Sequence, residues 1–184
     1  MEKKEFEAFL SDTEEKNNQN ISEQVKKEVS EYKSYVLQLY SQIEKWLGGY
    51  NKWIKIIRNP CKVNEELTGE YDLEELIIIV NNIKLQLKPK GTYIIGAKGR
   101  VDFIGPKSIV TIGLCDKEIK NASQLIKIFD SEKEKQLYDK KRKEELEKKP
   151  IEWEWKIITD PPEMLFITLT ENVFTDYLKK VMNG

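Results

Sequence analysis

Three charged side chains on two predicted strands are of the types that support metal-dependent hydrolysis. Asp102 lies in a short strand-like stretch at 100–104, and Glu154 and Lys156 lie in the alternating segment 151–157. Carboxylates can hold Mg²⁺, which activates a water molecule, and a lysine can assist the nucleophile. Because side chains two residues apart lie on the same face of a strand, Glu154 and Lys156 share one polar face. A carboxylate-based site is the only catalytic set that the sequence suggests.

The Glu154-Trp155-Lys156 pattern resembles the Glu-x-Lys strand of restriction-type nucleases. In that family a strand aspartate joins the glutamate in holding Mg²⁺, so the resemblance implies a metal-dependent nuclease. The chain departs from the family pattern, because that family has a mixed sheet with a helix directly before its first catalytic strand. We also expect strand 100–104 to be paired on both sides by other strands, which separates Asp102 from Glu154 by about 10 Å. We therefore predict that these residues form no metal site.

The chain contains no histidine, which excludes several catalytic and metal-binding classes. Ser-His-Asp catalysis, Cys-His catalysis and histidine metal sites all require imidazole. Cys61 and Cys115 have no metal-type spacing, and we predict that both are reduced, buried and structural. No Walker loop or Rossmann fingerprint is present. The sequence therefore predicts no catalytic residue, no metal and no cofactor, and an enzyme is the less favoured class.

Positive charge is concentrated in the segment 84–107, where Asp102 is the only acid. A basic antiparallel sheet with aromatic side chains can bind single-stranded nucleic acid. Most of these lysines lie in or beside predicted turns, however, and the net charge of the chain is -1, whereas nucleic-acid-binding domains are usually basic. Nucleic-acid binding by this meander is therefore the alternative function. Its candidate residues are Lys84, Lys88, Lys90, Lys98, Arg100 and Lys107.

The strongest helical signal spans residues 20–47. Apolar residues recur there at alternating intervals of four and three, which indicates one continuous apolar face. A break at 16–20 and an N-cap at Asn20 are expected to precede this helix. We expect the face to pack on the sheet, and any part that the sheet leaves uncovered to bind a partner helix or a second copy. The candidate partner-binding residues are Val25, Val29 and Tyr32.

The period then changes from helical to alternating, which predicts an antiparallel sheet of about seven strands. Five strands form a meander within 75–116, and a C-terminal hairpin at 151–169 adds two. The meander strands include one at 92–95. The predicted turns include Asn81-Asn82, which tolerates positive φ angles, and Lys98-Gly99.

Other segments carry weaker or more local signals. Residues 50–74 are ambiguous, and Asn59-Pro60 is expected to end whatever element they contain. An amphipathic helix is predicted at 122–129, followed by an almost entirely charged, solvated helix at 131–149. We expect Trp153 and Trp155 to face the core under the long helix. Thr170 is the predicted cap of the last helix.

These features together predict a single α+β domain over residues 1–184, with 1–19 a weakly ordered or short helical segment. The sheet packs against the long helix, and the charged helix precedes the last hairpin. No apolar span or leader is apparent, so we expect a cytoplasmic protein without membrane contact. The favoured function is non-enzymatic: a small protein-binding or regulatory protein that binds a protein partner or itself. An immunity or phage-defence accessory role would fit the size and charge.

Overall fold

In the computed structural model, three helices and seven strands follow one another along the chain. The structure describes the backbone of residues 2–92 and 96–184, and the side chains of residues 23–92, 96–145, 147 and 149–184. The elements are α1 (Glu2–Leu47), β1 (Ile54–Glu65), β2 (Gly69–Val80), β3 (Ile83–Gly91), β4 (Ala97–Ile104), β5 (Ile109–Asp116), α2 (Glu132–Lys148), β6 (Trp153–Ile158), β7 (Phe166–Thr168) and α3 (Glu171–Asn183).

The seven strands form one antiparallel sheet in sequence order, β1 to β7, which confirms the predicted α+β class. The predicted Asn81-Asn82 turn joins β2 to β3, with φ angles of 46° and 71°. Both residues accept this left-handed conformation because a short polar side chain can bond locally. Each remaining connection except one is short, as neighbouring antiparallel strands require. The exception is residues 117–152 between β5 and β6, which we call the β5–β6 insertion.

Strand β1 was not predicted, and it contains the proline that was expected to end an element. Pro60 lies opposite Glu74 in an uninterrupted register that runs from Ile54 to Glu65. A proline cannot donate a ladder hydrogen bond, so it is tolerated in a sheet only where no neighbour needs that donor. Because β1 is an edge strand, paired with β2 alone, it can contain Pro60, and the missing donor also disfavours further pairing at this edge.

The turn predicted at Lys98-Gly99 is wrong, because both residues belong to β4. The chain turns at Gly96, whose φ of +79° is the left-handed value that favours glycine. A bulge between Ala97 and Arg100 then offsets the pairing with β5. The strand predicted at 92–95 lies largely outside the described residues.

Helix α1 runs without interruption from Glu2 to Leu47, so the predicted break at 16–20 and the start at Asn20 are wrong. This segment contains no glycine and no proline. Asparagine in a helix interior costs only about 0.7 kcal/mol relative to alanine, which does not end a helix. At 1.5 Å per residue, its 46 residues span about 70 Å.

The predicted apolar face of α1 packs on one face of the sheet, which we call the helix face. Val36, Leu39 and Ile43 are buried there against the central strands. The predicted packing of Trp155 under the helix is confirmed: its ring is buried, and its Nε1 donates to the Tyr35 carbonyl at 3.3 Å. Burying a large apolar side chain stabilises the fold by about 1.5–3 kcal/mol, so this face is a main source of stability.

Helix α3 covers the same face beside the end of α1. The ring of Phe174 stacks on Phe103 at 5.2 Å and contacts Trp46 at 5.8 Å. The predicted cap is confirmed, since Thr170 Oγ1 accepts a hydrogen bond from the Val173 amide. The opposite face of the sheet, the outer face, is covered by neither α1 nor α3.

Candidate functional site

Asp102 and Glu154 lie on strands that are not neighbours. Asp102 is on β4 and Glu154 is on β6, with β5 between them. Strand 100–104 is paired on both sides as predicted, but its partner on one side is β3 and not the strand predicted at 92–95. Both side chains have other partners. Asp102 is almost buried and accepts from Arg100 Nε at 2.5 Å, and Glu154 accepts from Thr168 Oγ1 at 2.8 Å. The two carboxylates are therefore engaged separately.

Lys156 is buried, although strand alternation placed it on a polar face. Its side chain is 2% exposed, and its Nζ donates to the carbonyls of Lys117 at 2.7 Å and Ile119 at 2.6 Å. Glu154 Oε1 lies 3.2 Å away and supplies the counter-charge. Through these hydrogen bonds Lys156 holds the backbone of residues 117–119, the start of the β5–β6 insertion, against the outer face of β6. Sequence reasoning missed this because nothing local indicates which loop covers a strand.

The six basic candidates for nucleic-acid binding do not form one surface. Lys98 lies on the helix face, where its ammonium pairs with Glu31 and lies over the rings of Tyr35 and Trp153. The bulge in β4 explains the side on which Lys98 lies. The hydrogen bond from Lys98 lowers the pKa of the Glu31 carboxyl.

The other basic candidates differ in their surroundings. Arg100 and Lys90 both pair with Asp102, at 2.5 Å and 3.6 Å, which offsets part of their charge. Lys84 is exposed on β3, Lys88 is half-buried on the same strand, and the exposed Lys107 lies in the β4–β5 turn.

Tyr32, a candidate partner-binding residue, does not belong to an exposed surface. It is fully buried, its ring packs on Gly99, and its hydroxyl donates to the Arg100 carbonyl at 2.5 Å. The hydroxyl also accepts from the Gly91 amide at 3.3 Å. Burial raises the pKa of Tyr32 well above its ordinary value. The prediction that Tyr32 binds a partner is therefore wrong. Tyr32 is buried because the ends of β3 and β4 extend over the turn of α1 that contains it.

Val25 and Val29 are half-buried, in contrast to the fully buried members of the same stripe. Strand β2 pairs with β3 only from Leu76 to Val80, so the distal part of the β1–β2 hairpin, residues 59–75, is paired only within itself. This part of the hairpin lies beside α1 and leaves a cavity of about 300 Å³, which we call the hairpin groove. Its walls include Val25, Lys26, Val29, Lys33, Thr68 and Tyr71.

A carboxylate fixes the hairpin wall of this groove. Glu65 accepts hydrogen bonds from the Tyr71 hydroxyl at 2.5 Å and from the Thr92 amide at 2.8 Å. Burial, followed by the hydrogen bond to Glu65, raises the pKa of Tyr71. The hydroxyl therefore stays neutral and keeps donating at any physiological pH.

The β5–β6 insertion exposes large apolar side chains. The helix predicted at 122–129 is wrong, because only the 3-10 turn Ala122–Leu125 forms and residues 126–129 belong to no helix or strand. Ile126 is therefore 66% exposed and Ile128 is 86% exposed, and Leu137 on α2 is 55% exposed. The backbone of Ile126 is extended, and the alternation of Ile126, Lys127 and Ile128 is the sequence signal that disfavours a helix here.

Helix α2 itself has the predicted charged, solvated character. Ser131 caps it, since its Oγ accepts from the Glu134 amide at 3.3 Å. Arg142 lies 3.9 Å from Asp116, and Lys149 pairs with Glu118 at 2.6 Å. A cavity of about 480 Å³, lined mainly by charged residues, lies between these groups. Ion pairs on an exposed surface contribute little to stability, so α2 is held only weakly.

No protein-family model, curated protein or solved structure matches this chain. Within the described part of the chain, no helix is both long and apolar enough to cross a membrane. The same part contains no group of three or more Asp, Glu or Cys side chains arranged to hold a metal ion.

Proposed function

We propose that this chain is a small, non-enzymatic cytoplasmic protein that binds another protein through its β5–β6 insertion. The observation that carries the proposal is the exposure of Ile126 and Ile128 in a segment that contributes nothing to the core. None of the residues 117–152 whose side chains the structure describes is buried. Two antiparallel neighbours such as β5 and β6 need a loop of only about 2–5 residues.

The exposed apolar side chains of this segment support an interaction role. Contiguous apolar side chains that are exposed on a protein surface commonly mark interaction sites. Ile126 and Ile128 are only two residues apart and both are largely exposed, so a single partner surface can contact both side chains. The rings of Phe129 and Tyr138, with centroids 5.3 Å apart, connect the segment 126–129 to the charged helix α2. The insertion thus combines an apolar contact with surrounding charge, as interfaces with an apolar centre and polar rim do.

The experiment is quantitative cross-linking in cells of the tagged full chain and of the double variant Ile126→Ser, Ile128→Ser. We expect the variant to lose the cross-linked partner while its unfolding midpoint stays unchanged. The matched control is Ile109→Ser, because Ile109 is also 61% exposed but lies on the outer face of β5. Equal cross-linking by all three proteins would contradict the proposal. Light scattering distinguishes a second copy from a different partner.

Nucleic-acid binding stays a prediction that no geometric observation favours. If the outer face binds single strands, the exposed Lys84 and the nearby Lys88 are two β3 cations for which the structure describes no ion pair with Asp102. Binding would then weaken steeply as salt rises, because phosphate contacts release counterions. Gel shifts at two salt concentrations with Lys84→Glu, Lys88→Glu test this. An affinity that changes neither with salt nor with the double substitution would exclude the outer face as the nucleic-acid-binding surface.

A further inference from the structure

The hairpin groove has an apolar floor and a basic rim. Val25 and Val29 lie one helical turn apart on α1, so they form a continuous apolar strip. The ring of Tyr71 faces them from the hairpin, and Thr68 closes the same wall. Leu67, next along the hairpin turn, is 65% exposed and extends the apolar surface beyond the cavity.

Two ammonium groups bracket this floor. Lys26 and Lys33 line the groove, and the lining contains no acidic residue. The Lys33 ammonium lies 5.4 Å from the centre of the Tyr71 ring, and neither lysine has an ion-pair partner among the described residues. The two lysines are seven positions apart, which places them about 10 Å apart along the axis of α1.

The groove is formed in advance of any ligand. The Tyr71 hydroxyl is held by Glu65, which is itself held by the Thr92 amide on the far side. On the helix wall, Tyr32 anchors α1 one turn after Val29 through its bond to Arg100. Because both walls are fixed in the folded chain, little ordering remains to oppose binding.

We propose that the hairpin groove binds an acidic segment of a partner protein that carries an aliphatic or aromatic anchor. The anchor fills the space between Val25, Val29 and the Tyr71 ring. Carboxylates on either side of the anchor, about 10 Å apart, pair with Lys26 and Lys33. This spacing corresponds to glutamates seven residues apart on a helix. The site is separate from the β5–β6 insertion and does not depend on it.

The test uses a fluorescein-labelled helical peptide with two leucines between glutamates seven residues apart, in an alanine and glutamine background. A matched peptide carries lysines in place of the glutamates. We expect the acidic peptide to bind the full chain, with amide shifts at Val25, Val29 and Tyr71 in heteronuclear spectra. The basic peptide should not bind, and affinity for the acidic one should fall with salt.

Variants separate this site from other surfaces. Lys26→Glu, Lys33→Glu should weaken binding of the acidic peptide at least about tenfold, because like charges then face each other. The control Lys55→Glu, Lys84→Glu reverses two exposed lysines on the outer face and should leave binding unchanged. Equal binding of both peptides, shifts elsewhere, or no binding of the acidic peptide would overturn the proposal. Ile126→Ser, Ile128→Ser should bind the peptide normally, so the two proposals can fail independently.

Discussion

The ammonium of Lys156 lies 2.6 Å from the carbonyl oxygen of Ile119, beneath a loop that crosses β6. The same nitrogen holds the Lys117 carbonyl at 2.7 Å, and Glu154 neutralises its charge from 3.2 Å. A buried ammonium is tolerated only when its donors are satisfied and a counter-charge is close. The loop continues to the far edge of the sheet, where Phe166 of β7 donates to the Lys120 carbonyl. The side chain of Lys156 thus helps to hold residues 117–120 over β6 and β7 at this edge of the sheet.

Replacing this lysine should destabilise the protein. Lys156→Met keeps the aliphatic length but leaves two carbonyls without their donor and Glu154 without its counter-charge, so we expect a loss of about 3 kcal/mol. Urea unfolding followed by circular dichroism measures it. The control is Lys117→Met, because that side chain is 59% exposed and only its carbonyl contacts Lys156. Equal stability of both variants would show that the clamp is not a significant interaction.

A charge in the buried stripe of α1 should prevent folding. Val36 has no exposed surface and packs between α1 and the central strands, so Val36→Asp places a carboxylate where no partner exists. We expect no cooperative unfolding transition for this variant. The adjacent Leu37 is 41% exposed, and Leu37→Asp should therefore unfold close to the unsubstituted midpoint. A folded Val36→Asp protein of normal stability would remove the stripe from the core.

The turn between β4 and β5 approaches α3 too closely for a side chain. A Cβ added at Gly105 would overlap the Val181 carbonyl, and the Lys107 amide donates to that same oxygen at 3.2 Å. We expect Gly105→Ala to cost about 1–3 kcal/mol, since backbone must shift to relieve the overlap. Gly48→Ala is the matched control, because nothing lies within 4 Å of its added Cβ. Calorimetric midpoints compare the two, and similar midpoints would contradict the close contact.

The two thiols should differ in reactivity. Burial raises the pKa of Cys115 to about 12, whereas Cys61 is half-buried and its pKa is raised to a smaller extent. In a dithionitrobenzoate assay at pH 8, we expect Cys61 to react first and Cys115 only on unfolding. Cys61→Ala and Cys115→Ala assign the two phases. Rapid reaction of the native Cys61→Ala protein would show that Cys115 is accessible.

The raised pKa of Cys115 also gives the stability a pH dependence of defined sign. The folded state keeps the proton to higher pH than the unfolded chain, whose thiol has a pKa of about 8.5. The contribution is therefore fully present below that value and is lost as pH rises toward 12. Urea midpoints should fall over this range, and less so in Cys115→Ala. An identical fall in both proteins would assign the effect to other groups, such as the buried tyrosines.

The sequence alone determined those features that depend on residue period and on local hydrogen bonds. The apolar stripe through Val36 and Ile43 identified the helix that covers the sheet. Residues at alternating intervals of four and three lie on one face only if the chain is helical. Strand alternation predicted the meander and the burial of Trp155, and the left-handed tolerance of asparagine predicted the β2–β3 turn. The cap at Thr170 needs only its own first helical turn, so it too could be predicted.

Tertiary structure alone decided the features that depend on which element lies beside which. Pro60 is compatible with a strand only because β1 is at the sheet edge. The residues of a strand do not by themselves determine its position in the sheet. Lys156 is buried because a loop from elsewhere crosses β6, and Tyr32 because β3 and β4 reach its turn of α1. The hairpin groove exists because the distal part of the β1–β2 hairpin, which is not paired with β3, lies beside Val29. In each case the deciding contacts join residues far apart in sequence, whereas a local pattern reports only the period and chemistry of its own segment.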